Sequence, residues 1–243
     1  MSRPSSIYIK PWYKIVLRYS DELRKYIFAG RPISQALGAF QIYFQYNRQI
    51  KSHYEEKLPW ITHYAYERLK GLVKPDMRVL EFGMGGSTLF FRNLGAEVYS
   101  FEHDEQWFNN VKGELEADDK VHLNLIKPEV NDPTIDSNYS SEHGLFSEGL
   151  TWKAYAHGAD HFDKEFFDII LIDGRARPQC LRNSISKLKK GGILVFDNSD
   201  RDSYQEAIEE VLGGWSKEVY SGVTIYDWAF NETSIFFHPE YLK

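Results

Sequence analysis

Residues 78–104 read RVLEFGMGGSTLFFRNLGAEVYSFEHD. The run opens with an apolar strand, Val79 to Phe82, and turns at Gly83-Met84-Gly85-Gly86. Ser87 and Thr88 offer N-cap oxygens to a helix over Leu89–Leu94. A second strand, Ala96 to Phe101, ends in Glu102 and Asp104 with His103 between them. Glycines let a backbone approach a ligand closely. A carboxylate about 20 residues further on can accept both hydroxyls of a ribose. This strand–turn–helix–strand–acid unit therefore predicts a bound nucleoside, with Glu102 on the ribose and His103 near the base. Read locally, the same stretch is an ordinary tight turn followed by an exposed acid.

The details narrow the nucleoside. A dinucleotide fingerprint needs a third Gly, and Thr88 stands in its place. A phosphate-cradling loop needs Lys before its Ser/Thr, where this chain has Gly86. Glu81, just ahead of Gly83, opposes a pyrophosphate and suits a ligand bearing an amino group and a sulfonium. The series E-x-G-x-G-x-S, with an acid at the end of the next strand, resembles the first motif and acidic loop of class I S-adenosylmethionine (SAM)-dependent methyltransferases. That resemblance implies that Glu81, Gly83 and Gly85 border the methionine part of SAM. Ser87, which closes the motif, joins the cofactor-binding residues, and Glu102 holds the ribose.

The resemblance widens with L-P-W-I-T (58–62), F-D-I-I-L-I-D-G-R-A-R-P-Q-C-L (167–181), K-K-G-G-I-L-V-F-D-N-S-D-R (189–201) and N-E-T-S-I-F-F (231–237). These segments look like a bacterial group of such methyltransferases and cover about residues 58–243. By the same resemblance Trp60 and Thr62 lie near the cofactor. Their local readings are a buried anchor and a helix cap.

Alternating strands and helices imply a Rossmann-like α/β fold, a mostly parallel seven-stranded sheet with helices on both faces. The run Phe166–Ile172 lacks alternation, as a strand buried on both faces should. Thr151–Phe162 is expected to be helical, Lys189–Gly192 to be a turn, and Pro128–Gly149 to be a long polar loop over the ligand edge. Residues 1–57 form an N-terminal helical appendage to the 58–243 domain. Within it, Trp12, Ile15, Val16, Tyr19, Leu23, Tyr26 and Ile27 recur at helical spacing, and a second helix starts near Pro32 with Ile33, Leu37, Phe40 and Phe44 on one face.

Composition sets bounds. A net charge of −6 argues against a nucleic-acid binder. Residues 1–57 hold ten Lys/Arg and four Asp/Glu, a surplus of six, so the remainder carries −12. The basic helix 12–28 therefore suits either contact with a membrane surface or, on its apolar face, cover for the main domain or for a second subunit in a homo-dimer. Asp21 and Glu22 interrupt the basic face and favour the covering role. The single cysteine, Cys180, excludes an intrachain disulfide. With no apolar leader or membrane-spanning run, it points to the cytoplasm.

Open sheets bind ligands outside the carboxyl ends of their strands. Glu81, Glu102, Asp173 and Asp197-Asn198 all fall at such ends. Methyl transfer needs an acceptor aligned in line with the sulfonium and helped to lose its proton. Asp173 is placed for that proton. Asp173, Asp197 and Asn198 together offer three oxygens that would suit magnesium, and the trio resembles the metal ligands of catechol-type O-methyltransferases. Those enzymes carry Lys three residues after the first Asp, whereas this chain has Ala176 between Arg175 and Arg177. Both arginines are candidates for an acidic substrate or for plain surface positions. His157 and His161 share a helical face but no acid with ligand-like spacing accompanies them, which favours solvated or core histidines over a metal pair. The expected activity is methyl transfer from SAM to a hydroxyl of a small molecule or glycan. The rivals are a non-catalytic SAM-fold interaction protein and a nicotinamide-dependent oxidoreductase.

Overall fold

The computed structural model describes residues 10–31, 36, 38–48, 54–115, 118–130, 139–140 and 149–241. Two helices, α1 (Trp12–Phe28) and α2 (Phe40–Arg48), come first. They are followed by α3 (His63–Leu72) and β1 (Arg78–Phe82). Next come α4 (Gly86–Asn93), β2 (Glu97–Glu102), α5 (Glu105–Leu115) and β3 (Val121–Leu125). The second half holds α6 (Lys153–Ala156), β4 (Phe167–Ile172), α7 (Arg177–Ser184), β5 (Leu188–Asp197) and α8 (Asp202–Leu212). A hairpin of β6 (Ser216–Val223) and β7 (Phe230–Phe237) closes it.

The seven strands form one sheet in the order β3-β2-β1-β4-β5-β7-β6. The first five are parallel to their neighbours, and β7 runs antiparallel to both β5 and β6. The expected fold class is therefore present. The order reverses between β1 and β4, and such a switch point opens a crevice at the strand ends.

Alternation in the central strands explains why both faces are covered. Leu80, Phe82, Ile170, Ile172, Leu194 and Phe196 point to one face and pack with Cys180, Leu181, Tyr204 and Ile208 from α7 and α8. Val79, Ile169, Leu171, Ile193 and Val195 point to the other and pack with Ala65, Leu69, Phe90 and Phe91 from α3 and α4. Each such buried aliphatic side chain contributes about 1.5–3 kcal/mol relative to exposure.

Three expected boundaries differ. The turn at Lys189–Gly192 is part of β5, because a register irregularity lets Phe167 pair with Leu188 and Ile169 with Ile193. The helix expected over Thr151–Phe162 is confined to α6, and turns follow from His157 onward. Helix α4 starts at Gly86, so Ser87 and Thr88 lie in its first turn instead of capping it. Of the polar stretch Pro128–Gly149, residues 131–138 and 141–148 lie outside the described residues, as do Pro32, Ile33 and Leu37. The ends of that stretch meet in a short antiparallel ribbon, Glu129–Val130 with Leu150–Thr151.

The N-terminal helices dock on the β6–β7 hairpin. Ile15, Tyr19, Ala39 and Tyr43 form a buried cluster with Val223, and Phe230 packs against it. The Phe230 ring meets Tyr19, Tyr26 and Tyr43 at centroid distances of 5.6–5.8 Å. The opposite side of α1 leaves Leu17 and Phe28 68% and 84% exposed. Among the described residues no helix is long and apolar enough to cross a membrane.

Candidate active site

A cleft of about 630 Å³ lies at the carboxyl ends of the central strands, at the switch point. One half sits over β1 and β2, where Gly83 to Ser87 curve around it. Gly83 has φ 103°, and a Cβ there would lie 3.0 Å from the Asp173 carbonyl carbon and 3.1 Å from Gly174 N. Only glycine lets the ends of β1 and β4 approach so closely. Gly174 is held to the same standard, since a Cβ on it would sit 2.1 Å from the Tyr155 hydroxyl.

Glu102 ties this half together. Its Oε2 accepts the Met84 N–H at 3.1 Å, and its Oε1 accepts those of His103 and Asp104 at 2.7 Å each. It is 3% exposed and lines the cleft. A carboxylate has about four acceptor positions, so with three N–H groups bound one position, on Oε2, remains for a ligand hydroxyl. His103 Nδ1 is 2.8 Å from Glu102 Oε1 without hydrogen-bond alignment, and its ring lies 5.7 Å from that of Tyr155. Trp107 also lines the cleft, donating its Nε1–H to the Met84 carbonyl. Sequence reasoning did not place Trp107 in the site. The available signal was Asp104 three residues earlier, whose Oδ1 accepts the Trp107 N–H at 2.8 Å and fixes the start of α5.

Glu81 is not in the cleft wall. It lies fully buried beneath the glycine turn, accepting the hydroxyls of Ser100, at 2.6 Å, and Thr88. Thr88 Oγ1 in turn accepts the Gly85 N–H at 3.1 Å. Burial, opposed by those hydroxyls, pushes the Glu81 carboxyl up to about 7. The residue expected to touch the methionine part thus shapes the turn from below. Thr62 is also away from the cleft. Its hydroxyl donates to the Tyr220 carbonyl at 3.1 Å and its N–H to Thr233 Oγ1 at 3.1 Å, so it makes no side-chain cap either. Trp60 does line the cleft, 47% exposed.

The other half sits over β4, β5 and β7, lined by Asp173, Arg177, Asp197, Asn198, Asp227 and Asn231, with Arg201 and Tyr204 at its side. Asp173 and Asp197 are bridged by Arg177. Its Nη2 donates to Asp173 Oδ1 at 2.8 Å, and its Nη1 to Asp197 Oδ2 at 3.2 Å. Asp197 Oδ1 accepts the Thr233 hydroxyl at 2.7 Å, and Asn198 Oδ1 accepts from Arg201. Burial first, and then the Asp197 carboxylate, hold the Asp173 carboxyl well above the usual range, with Arg177 opposing.

The three oxygens read as a magnesium site therefore do not fit one: each residue is already engaged by an arginine or a hydroxyl of the chain. Among the described residues no group of three or more His, Cys, Asp and Glu side chains is placed to hold a metal. His157 is engaged as well, with Nε2 2.9 Å from the Tyr139 hydroxyl and Nδ1 2.8 Å from Asp160, while His161 packs on Phe162. Arg175 lines the cleft, 3.5 Å from His103 Nε2. Asp227 and Asn231, from the hairpin, were missed by sequence reasoning.

No family model matches the chain, and no curated protein sequence matches it. Solved structures show partial similarity to it. A methyltransferase-like protein from Silicibacter pomeroyi is 23% identical, with a TM-score of 0.47 over 70% of this chain and 84% of that one. Fibrillarin from Aeropyrum pernix, solved with natively bound SAM, is 14% identical, with a TM-score of 0.47 over 72% and 74%. A SAM-dependent O-methyltransferase from Thermotoga maritima is 12% identical, with a TM-score of 0.47 over 79% and 74%. The fold itself is read from the sheet: seven strands in the order β3-β2-β1-β4-β5-β7-β6, a Rossmann-like α/β arrangement.

Proposed function

We propose that this chain is a SAM-dependent methyltransferase that methylates a hydroxyl of a small molecule or glycan. The observation that carries the reading is one continuous cleft joining the Gly83–Ser87 turn and Glu102 to the elevated carboxyl of Asp173. Its volume falls within the usual range for small-molecule sites, roughly 300–1,000 Å³.

When bound, SAM supplies a methyl group on a sulfonium leaving group. The residues fit it: the glycine turn leaves room for close approach, Glu102 Oε2 keeps an acceptor position for a ribose hydroxyl, and His103 and Trp107 flank the place for adenine. Asp173 takes the proton that the acceptor hydroxyl gives up. A base works best with a pKa near the working pH, and burial beside Asp197 moves Asp173 in that direction. Trp60, Asp227 and Asn231 border the acceptor half and suit a polar, ring-shaped molecule.

Calorimetry with S-adenosylhomocysteine (SAH) and NAD tests the cofactor. SAH is expected to bind and NAD not, because Thr88 stands where a dinucleotide site needs its third Gly. Glu102→Ala should weaken SAH by about 2–3 kcal/mol, roughly 30- to 150-fold. Binding of NAD without SAH would end the methyltransferase reading. The acceptor is then sought by transfer of labelled methyl from SAM to a panel of sugars and phenols. Transfer confined to amines would overturn the hydroxyl acceptor alone.

A further inference from the structure

Arg177 spends every donor it has inside the protein. Its Nε–H goes to the Gly174 carbonyl at 3.0 Å. Both Nη2 hydrogens go to Asp173, one to Oδ1 and one to the carbonyl at 3.1 Å. Both Nη1 hydrogens go to Asp197, one to Oδ2 and one to the carbonyl. Five N–H groups meet five oxygens, so this guanidinium has none left for a substrate. It is instead a planar cation seated between two strand ends, in the fork geometry that suits carboxylates.

A divalent cation at this place would need the same oxygens. Magnesium takes near-octahedral oxygen ligands at about 2.0–2.1 Å, so Asp173 Oδ1 and Asp197 Oδ2 would have to release Arg177. Asn198 Oδ1 would have to release Arg201. The released guanidinium, buried at 8% exposure, would sit beside the new ion without a partner.

We infer that Arg177 fills the place a divalent cation would take between Asp173 and Asp197, so that methyl transfer here needs no metal and Arg177 is the positioning residue for Asp173. Naming the reaction rests on the function proposed above; exclusion of metal by the guanidinium does not. The position of the arginine also accounts for Ala176 standing where a catechol-type enzyme has Lys. The residue after Ala176 supplies the positive charge, reaching back from the first turn of α7 with Pro178 behind it.

Mn2+ alone, added to the full chain with and without SAH and followed by electron paramagnetic resonance and calorimetry, tests this. The unaltered protein is expected to show no saturable uptake at millimolar Mn2+. Arg177→Met keeps the bulk of the stem and leaves two carboxylates facing each other. It is expected to acquire saturable Mn2+ binding, which Asp197→Asn in the same chain removes again. Saturable binding by the unaltered protein, abolished by Asp197→Asn, would overturn the inference. So would a folded Arg177→Met that takes up no Mn2+, since something other than the guanidinium would then exclude the ion. If Arg177→Met does not fold, the unaltered protein and its Asp197→Asn variant decide alone. Once an acceptor is known, a chelator should leave turnover unchanged; loss of turnover restored by Mg2+ would again overturn it. None of these metal outcomes bears on whether SAH binds, so failure here is distinct from failure of the methyltransferase reading.

Discussion

Over β1 and β2 the wall of the cleft is largely backbone, and what it needs from side chains is mostly that they be absent or buried. Gly83 must lack a Cβ, Met84 offers its N–H to Glu102, and Glu81 works unseen beneath the turn. Over β4, β5 and β7 the wall is made of side chains, each fixed by partners distant in sequence. Asp197 takes Thr233 and Arg177, and Asn198 takes Arg201. The backbone beneath Asp227 is held by Asn47 of α2, whose Nδ2 donates to the Asp227 carbonyl at 3.1 Å. A wall of backbone suits a ligand that never changes. A wall of side chains can be rewritten without disturbing the first.

The contrast breaks most readily at Gly83. Gly83→Ala must adopt φ near 103° and bring Cβ within 3.1 Å of backbone atoms of Asp173 and Gly174. Strain of this kind costs about 1–3 kcal/mol and overpacking a similar amount. Because those atoms are backbone, relief requires the ends of β1 and β4 to part, which deforms the turn itself. The expected result is loss of detectable SAH binding by calorimetry along with a lowered unfolding midpoint. Ordinary SAH affinity in this variant would show that the first half is not a backbone mould.

Glu81→Gln tests the buried part of that mould. The folded carboxyl titrates near 7, against 4.5 ordinarily. The folded state therefore holds the proton over a range where the unfolded chain has lost it. This contribution to stability is complete below pH 4.5 and is lost as pH rises to about 7, roughly 3 kcal/mol in all. Gln keeps the shape and carries no proton to lose. Urea denaturation at pH 5 and pH 8 should show the natural chain losing about 2–3 kcal/mol more than Glu81→Gln between the two, since part of the titration is already complete at pH 5. Equal losses would mean that Glu81 does not titrate in this window.

The same contrast decides what could be read from the amino-acid order. The β1–turn–α4–β2 unit was legible because its signals are local: a strand run, a glycine pair and an acid at fixed spacing. The buried run Phe167–Ile172 was legible from its lack of alternation. Glu81 was found but misplaced. It is register-paired with Ser100 on β2, and that pairing, invisible along the chain, turns it into the sheet instead of the cleft. The start of β5 was missed because Gly191 and Gly192 read as a turn when they sit in an irregular strand. The acceptor half was least legible. Arg177 could be assigned only by knowing that Asp197, twenty residues on, ends the neighbouring strand. Asp227 carries no motif, Asn231 was quoted only as the start of N-E-T-S-I-F-F, and both reach the cleft because the hairpin folds back along β5.

The smallest effect expected is also the one that separates the halves most cleanly. Asn47 is 1% exposed and uses its amide to join the Tyr43 and Asp227 carbonyls, each at 3.1 Å. Beside it the Tyr43 hydroxyl donates to the Trp228 carbonyl at 2.9 Å, and Glu22 Oε2 accepts the Phe230 N–H at 3.3 Å. Three side chains of the N-terminal helices thus hold the backbone of residues 227–230, from which Asp227 faces the cleft. Asn47→Ala leaves the Asp227 carbonyl without this donor. Asp227 is only half-buried, so water can reach it and the cost should fall at the low end for an unsatisfied group, about 1 kcal/mol. Hydrogen–deuterium exchange over residues 224–231 should quicken, while SAH affinity stays unchanged, because none of the first-half contacts described above involves α2. With an acceptor in hand, its KM should rise and that for SAM should not. If SAH affinity falls along with the exchange protection, the two halves are mechanically one, and the N-terminal helices support the whole cleft instead of its acceptor side.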